Sequence, residues 1–175
     1  MDMKDFKSIL EAKLSSISKQ PRGDKAEWTS AIKKCLVELA EEFDLSSSCN
    51  LPLMPGKTYA KHDNHEWLCD VMLYEATAEG IKKVVLCVES EWSTNEDELF
   101  WDFSKLLVIK SDFRLMVFNA PKGKHDVALK KLINYVDNSE ICAKGEIYFF
   151  ATYLEEEKEE ELMFKKHICK QEKHP

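Results

Sequence analysis

Glycine and proline are scarce, five of each in 175 residues, too few for a collagen-like, low-complexity or loop-rich chain. No stretch approaches the ~18 consecutive apolar residues that a membrane-crossing helix needs. The opening residues, from Met1 to Leu10, lack the long apolar run of a secretion signal. A soluble cytoplasmic protein with no membrane role is expected. Zinc-ligand spacing is missing too: Cys35, Cys49, Cys69, Cys87, Cys142 and Cys169 form no CxxC and meet no paired histidines. Cys35, Cys69 and Cys87 sit in apolar runs and read as reduced core thiols. Positive charge is in deficit, with 25 Lys and Arg against 32 Asp and Glu and a net charge of −7. Phosphate neutralisation supplies most non-specific affinity for nucleic acid, so this balance counts against a protein that merely coats it. Part of the acid lies in the run from Glu155 to Glu161.

What is present suits one well-packed unit. Hydrophobic residues make up 44% and aromatics 10%, enough for a core in a chain of this length. Residues 1–154 read as a single α/β domain and residues 155–175 as a charged C-terminal helix or tail. Phe6, Ile9, Leu10, Leu14 and Ile17 recur at helical spacing over residues 3–18. After the break at Pro21 and Gly23, Asp24 caps a second helix reaching about Phe43, with Trp28, Ile32, Leu36 and Leu39 on one face. Residues 46–56 read as a loop and 58–61 as a short strand. Residues 66–75 alternate in the manner of a longer strand, and 83–92 form a strand apolar on both faces, therefore central. A helix over 95–109, a strand over 114–118, a helix through Val127 to Val136 and a strand over 146–154 complete the order. An antiparallel meander followed by a helical crossover predicts a mixed sheet flanked by helices.

Three carboxylates stand out in strands otherwise built for burial: Asp70, Glu89 and Glu91. Alternation puts Glu89 and Glu91 on one face, about 7 Å apart, and a hairpin between the strands brings Asp70 opposite them. Carboxylates crowded on a half-buried face repel one another and lose hydration. A hard divalent cation relieves both costs, and an oxygen donor set with open water positions suits Mg²⁺ or Mn²⁺. The plainer alternatives are a solvated Glu91 at the strand exit and an Asp70 paired with Lys or Arg.

Around Glu66-Trp67-Leu68-Cys69-Asp70, Val88-Glu89-Ser90-Glu91-Trp92 and Asp102-Phe103-Ser104-Lys105-Leu106-Leu107 the chain resembles the PD-(D/E)XK nuclease superfamily, over roughly Trp28 to Phe118. The resemblance implies a restriction-endonuclease-like fold: a helix, a three-strand meander, a crossover helix and a further strand. It also implies a metal-dependent nuclease acting on phosphodiester bonds of nucleic acid, DNA above all. Asp70 and Glu89 would hold the metal, and Glu91 would hold metal or the attacking water. The chain departs from the pattern at Glu91, where the family usually has lysine. Some restriction endonucleases resemble it in carrying Glu-x-Glu; alternatively the lysine has moved to the next helix as Lys105, beside Glu98, Trp101 and Asp102. The family often adds an acid from its first helix, and of Glu38, Glu41 and Glu42 the expected one is Glu38. Cutting both strands of a duplex would favour a homodimer.

Other features read more plainly. His62 and His65 are surface histidines with an outside chance of touching phosphate. Lys82 and Lys83, Lys122 and Lys124, and Lys130 and Lys131 are either a basic rim or scattered surface charge. Trp92 and Trp101 are read as core residues, stacking groups being the alternative. Two further functions stay open: a catalytically inactive binding or assembly module of the same fold, and an acidic α/β protein that binds partners through its Glu155-rich tail.

Overall fold

The computed structural model describes residues 3–18, 24–51, 59–119, 123–155 and 160–170. Among them the chain forms four helices and a seven-stranded sheet. Helix α1 spans Met3–Ser18 and α2 Lys25–Glu42. Phe6, Leu10, Leu14 and Ile17 are buried from the first, Trp28, Ile32, Leu36 and Leu39 from the second, as their 3.6-residue period requires. The Asp24 carboxylate accepts from the Glu27 amide at 2.9 Å, satisfying one of the orphan donors of the first turn of α2. Asp44, in the left-handed conformation at φ 57°, turns the chain out of α2. Asp24→Ala should therefore cost about 1 kcal/mol, readable as a lower denaturant midpoint with an unchanged slope.

Strand β1 is Ser46–Ser48, β2 His62–Asp63, β3 Val71–Thr77 and β4 Gly80–Glu91. Helix α3 is Glu96–Val108, β5 Phe113–Asn119, α4 His125–Asn138, β6 Ile147–Glu155 and β7 Glu160–Ile168. The sheet order is β2-β1-β3-β4-β5-β6-β7. β3 runs antiparallel to β1 and to β4, β4, β5 and β6 are mutually parallel, and β7 returns antiparallel to β6. Helices α1 and α2 cover one face, where Phe6 stacks on Phe113 with ring centroids 5.1 Å apart. Helices α3 and α4 cover the other. Burying β4, β5 and β6 on both sides explains their near-continuous apolar runs. The mixed α/β architecture is as expected.

Several expectations need correction. A charged helix or tail is predicted from Glu155 onward, but Glu160–Ile168 is an edge strand paired along its whole length with β6. Its partly buried Leu162 and Phe164 pack on the α1–α2 side of the core, Phe164 at 5.4 Å from Phe149; the acids preceding them conceal that signal. The supposed loop at 46–56 contains β1, and this, rather than residues 58–61, is the first strand of the meander. Thr58 and the two loop prolines lie outside the described residues. The strand predicted over 66–75 begins only at Val71, because residues 68–70 form a bend. No helix among the described residues is long and apolar enough to cross a membrane. All six cysteines are buried and unpaired by disulfides.

Candidate active site

The carboxyl end of β4 is where antiparallel and parallel halves of the sheet meet, with β3 on one side and β5 on the other. Crevices at the carboxyl ends of strands are where open α/β sheets place ligands. Alternation from Cys87, which packs under α3 and α4, puts Glu89 and Glu91 on that same face. Glu89 is 2% exposed, and its Oε1 is buried without a hydrogen-bond partner. Burial, reinforced by the nearby Asp70 charge and opposed by Lys105, pushes its carboxyl up to about 9. At neutral pH Glu89 therefore holds a proton.

Lys105 comes from the third turn of α3. Its Nζ lies 3.4 Å from Glu89 Oε1 and 2.6 Å from Asp102 Oδ1. Burial disfavours its ammonium, but Asp102 and Glu89 outweigh burial and hold its pKa above the ordinary lysine value. With Glu89 protonated, Glu91 is half-buried. Its carboxylate accepts from the Ser93 amide, while burial and a hydrogen bond to the Asp102 carboxyl raise its pKa, against the Ser93 contact. Asp102 thus links Glu91 to Lys105.

Asp70 arrives differently from the expectation. The β3–β4 register, Val71 opposite Val88, continues to Asp70 opposite Glu89. However, Cys69 and Met72 both pack under α3 and α4, so alternation breaks at the bend and Asp70 leaves the regular pleat. Its Oδ2 accepts from the Ser90 amide at 2.8 Å and from the Ser90 hydroxyl at 2.6 Å. These bonds anchor Asp70 across the strand end, still close enough for its charge to act on Glu89.

Of the expected site residues, Asp70, Glu89, Glu91 and Lys105 are brought together. Glu38 is not: its charge acts on Lys13 of α1 and on Cys35, and it is absent from the groups acting on Glu89. The α2 side chain nearer the site is Lys33, buried and bonded to Glu66; Lys33, Glu66 and Asp70 all act on the Cys49 thiol. Glu38 lies five residues on, about 1.4 turns, and so points elsewhere. Two contributors were not expected. Asp102 was legible only as a neighbour of Lys105 on the helix, and Ser90 gave no signal, since its role depends on the bend at residues 68–70.

The other candidates have structural partners. His62 Nδ1 lies 3.0 Å from Ser47 Oγ, and His65 Nδ1 lies 2.7 Å from Asp63. Lys82, Lys83 and Lys131 pair with Glu75, Asp112 and Glu96, so these three do not build a basic rim; Lys122 lies outside the described residues. Trp92 is a core residue as read, its Nε1 donating to Thr29 Oγ1 at 2.8 Å. Trp101 is not, at 74% exposed.

The donor set accommodates a divalent cation in one limited way. Among the described residues no group of three or more His, Cys, Asp or Glu is arranged to enclose a metal ion. Mg²⁺, however, is commonly held by one or two carboxylates, with water and substrate phosphate completing the shell. An orphaned Glu89 oxygen facing the charge of Asp70 is the arrangement such an ion would relieve. No family model matches the chain, and comparison with curated proteins and with solved structures likewise finds no match.

Proposed function

We propose that the chain is a metal-dependent, PD-(D/E)XK-like enzyme that hydrolyses phosphodiester bonds of nucleic acid. The observation that carries this reading is the meeting of Lys105 from α3 with Glu89 from β4, beside Asp70 at the start of β3. The order α2, β1, β3, β4, α3, β5 also follows the helix, meander, crossover helix and strand that the resemblance implies. Asp70 and Glu89 would hold Mg²⁺ or Mn²⁺, Glu89 giving up its proton on binding. When bound, the ion supplies Lewis-acid polarisation of a phosphoryl oxygen and acidifies water. Glu91, oriented by Ser93 and Asp102, would accept the proton of the attacking water. The Lys105 ammonium, steered by Asp102, would stabilise the charge developing on the phosphate and so do the work of the lysine that Glu91 displaces.

Calorimetric titration with Mg²⁺ and Mn²⁺ tests the site. Asp70→Asn keeps an oxygen for Ser90 but removes the charge; it should weaken metal binding at least about tenfold, in the range seen when metal-site support is lost. Cleavage of DNA and RNA should fall with it. Metal binding indifferent to this substitution would remove the assigned site. A second reading, an inactive binding module, is favoured by the engagement of Lys105 with Asp102 and by the lack of a three-ligand enclosure. Metal binding at Asp70 without cleavage of any nucleic acid would select it.

A further inference from the structure

Two of the four tryptophans are spent outside the core. Trp28 and Trp92 pack together with Tyr153 inside the domain, whereas Trp67 is 54% and Trp101 74% exposed, with Leu68 at 73% beside the former. Their positions are not scattered. Trp67 precedes Asp70 by three residues, and its ring lies 6.4 Å from that of Tyr74, a residue packed on the α3–α4 side of the core. Trp101 precedes Asp102 by one residue and Lys105 by one helical turn. The exposed indoles thus stand on the two elements that supply Asp70 and Lys105, on the same side of the sheet as Glu89.

We infer that the substrate of the proposed active site is single-stranded nucleic acid, its unstacked bases held against Trp67 and Trp101. The inference rests on the hydrolase reading for the identity of the ligand and adds the form it takes. An exposed indole offers a large flat apolar face that water solvates poorly, and an unstacked base covers it without regard to sequence. A duplex hides its base faces except at its ends. Gripping a duplex instead depends on many phosphate contacts, and the charge here opposes that: the chain carries −7, the cation facing the carboxylates is already held by Asp102, and Lys82, Lys83 and Lys131 are paired with acids. Stacking supplies affinity that this charge balance does not.

The test is fluorescence anisotropy in EDTA with labelled strands of about 12 nucleotides, a typical single-strand site size. DNA, RNA and the corresponding DNA duplex are compared on the wild-type chain and on Trp67→Ala, Trp101→Ala and Trp101→Phe. At least one single strand should bind tenfold or more tightly than the duplex. Each alanine variant should weaken that binding by about 10- to 100-fold, and Trp101→Phe should restore most of it. Because Trp101 lies on the solvent side of α3, its replacement leaves the fold intact and the result interpretable. Equal or tighter duplex binding, no strand binding, or indifference to both alanine substitutions overturns the inference while leaving metal binding at Asp70 untouched. Strand binding through the tryptophans in a chain that binds no metal would instead sink the hydrolase reading alone.

Discussion

Glu89→Gln should make the metal-free protein more stable at pH 8 and inactive. The Glu89 carboxyl titrates near 9 in the folded chain against an ordinary value of 4.5. Between those values the folded state holds a proton that the unfolded state has released, so stability is fullest below the lower value and falls as pH rises towards the upper one. The slope approaches about 1.4 kcal/mol per pH unit for one group. Glutamine keeps the size and polarity of the protonated acid but has no proton to lose. The variant should match wild type near pH 4 and exceed it by on the order of a few kcal/mol at pH 8, measured by urea unfolding in EDTA. Saturating Mg²⁺ should narrow the gap by stabilising only the wild type, by about 2.7 kcal/mol at a hundredfold excess over Kd. A difference independent of pH, or a destabilised variant at pH 8, would show that Glu89 is not a proton held by burial. Gain of stability with loss of activity is the usual mark of a residue kept for chemistry.

Arg114→Met should be among the most damaging single changes, although Arg114 touches none of the acids in the site. Its side chain is 2% exposed and lies beneath the carboxyl end of α3. Nε donates to the Leu106 carbonyl at 2.9 Å, Nη2 to the Ile109 carbonyl at 2.9 Å and Nη1 to the Ser111 carbonyl at 3.2 Å. Glu146 supplies the countercharge at 3.2 Å, and the guanidinium lies 5.1 Å from the centre of the Tyr148 ring. The last carbonyls of a helix lack internal partners and carry its negative pole, so a buried cation there is doubly favoured. Methionine fills the volume but leaves those carbonyls and Glu146 uncompensated. The expected loss is about 3–5 kcal/mol, seen as a lower chemical-denaturation midpoint. Arg114→Lys should recover only part of it, since one ammonium cannot reproduce a planar fork. A loss below about 1 kcal/mol for both variants would contradict this role. Because α3 also carries Asp102 and Lys105, any surviving variant should show weaker cleavage than its folded fraction explains.

The two residues differ in how far the linear chain discloses them. Glu89 is conspicuous, an acid closing a run of Val, Leu and Cys, and its partner Glu91 follows from alternation alone. Lys105 is legible as a helix-face neighbour of Asp102, and its reach to Glu89 bears out that expectation. Arg114 reads merely as the first residue of an apolar strand, because its acceptors lie in three turns or loops that become adjacent only when α3 docks. Glu38 looks as good a helix acid as any, and only the docking of α2 against α1 turns it towards Lys13. The edge strand β7 escaped notice because a strand of mixed charge has no periodicity to betray it until β6 offers a ladder.

The apolar periods of α1, α2 and α3, the caps at Asp24 and Asn95, and the doubly buried runs of β4 and β5 follow from local chemistry, since each rests on spacings within a few residues. They suffice for an α/β class with helices on both faces of a mixed sheet. The bend that frees Asp70 to bond Ser90, the link from Glu91 through Asp102 to Lys105, the seat of Arg114 and the exposure of Trp67 and Trp101 do not follow in that way. Each depends on distances between segments far apart in the chain. Those distances are set by how whole helices pack on the sheet, a balance of many weak contacts that no short window of residues contains.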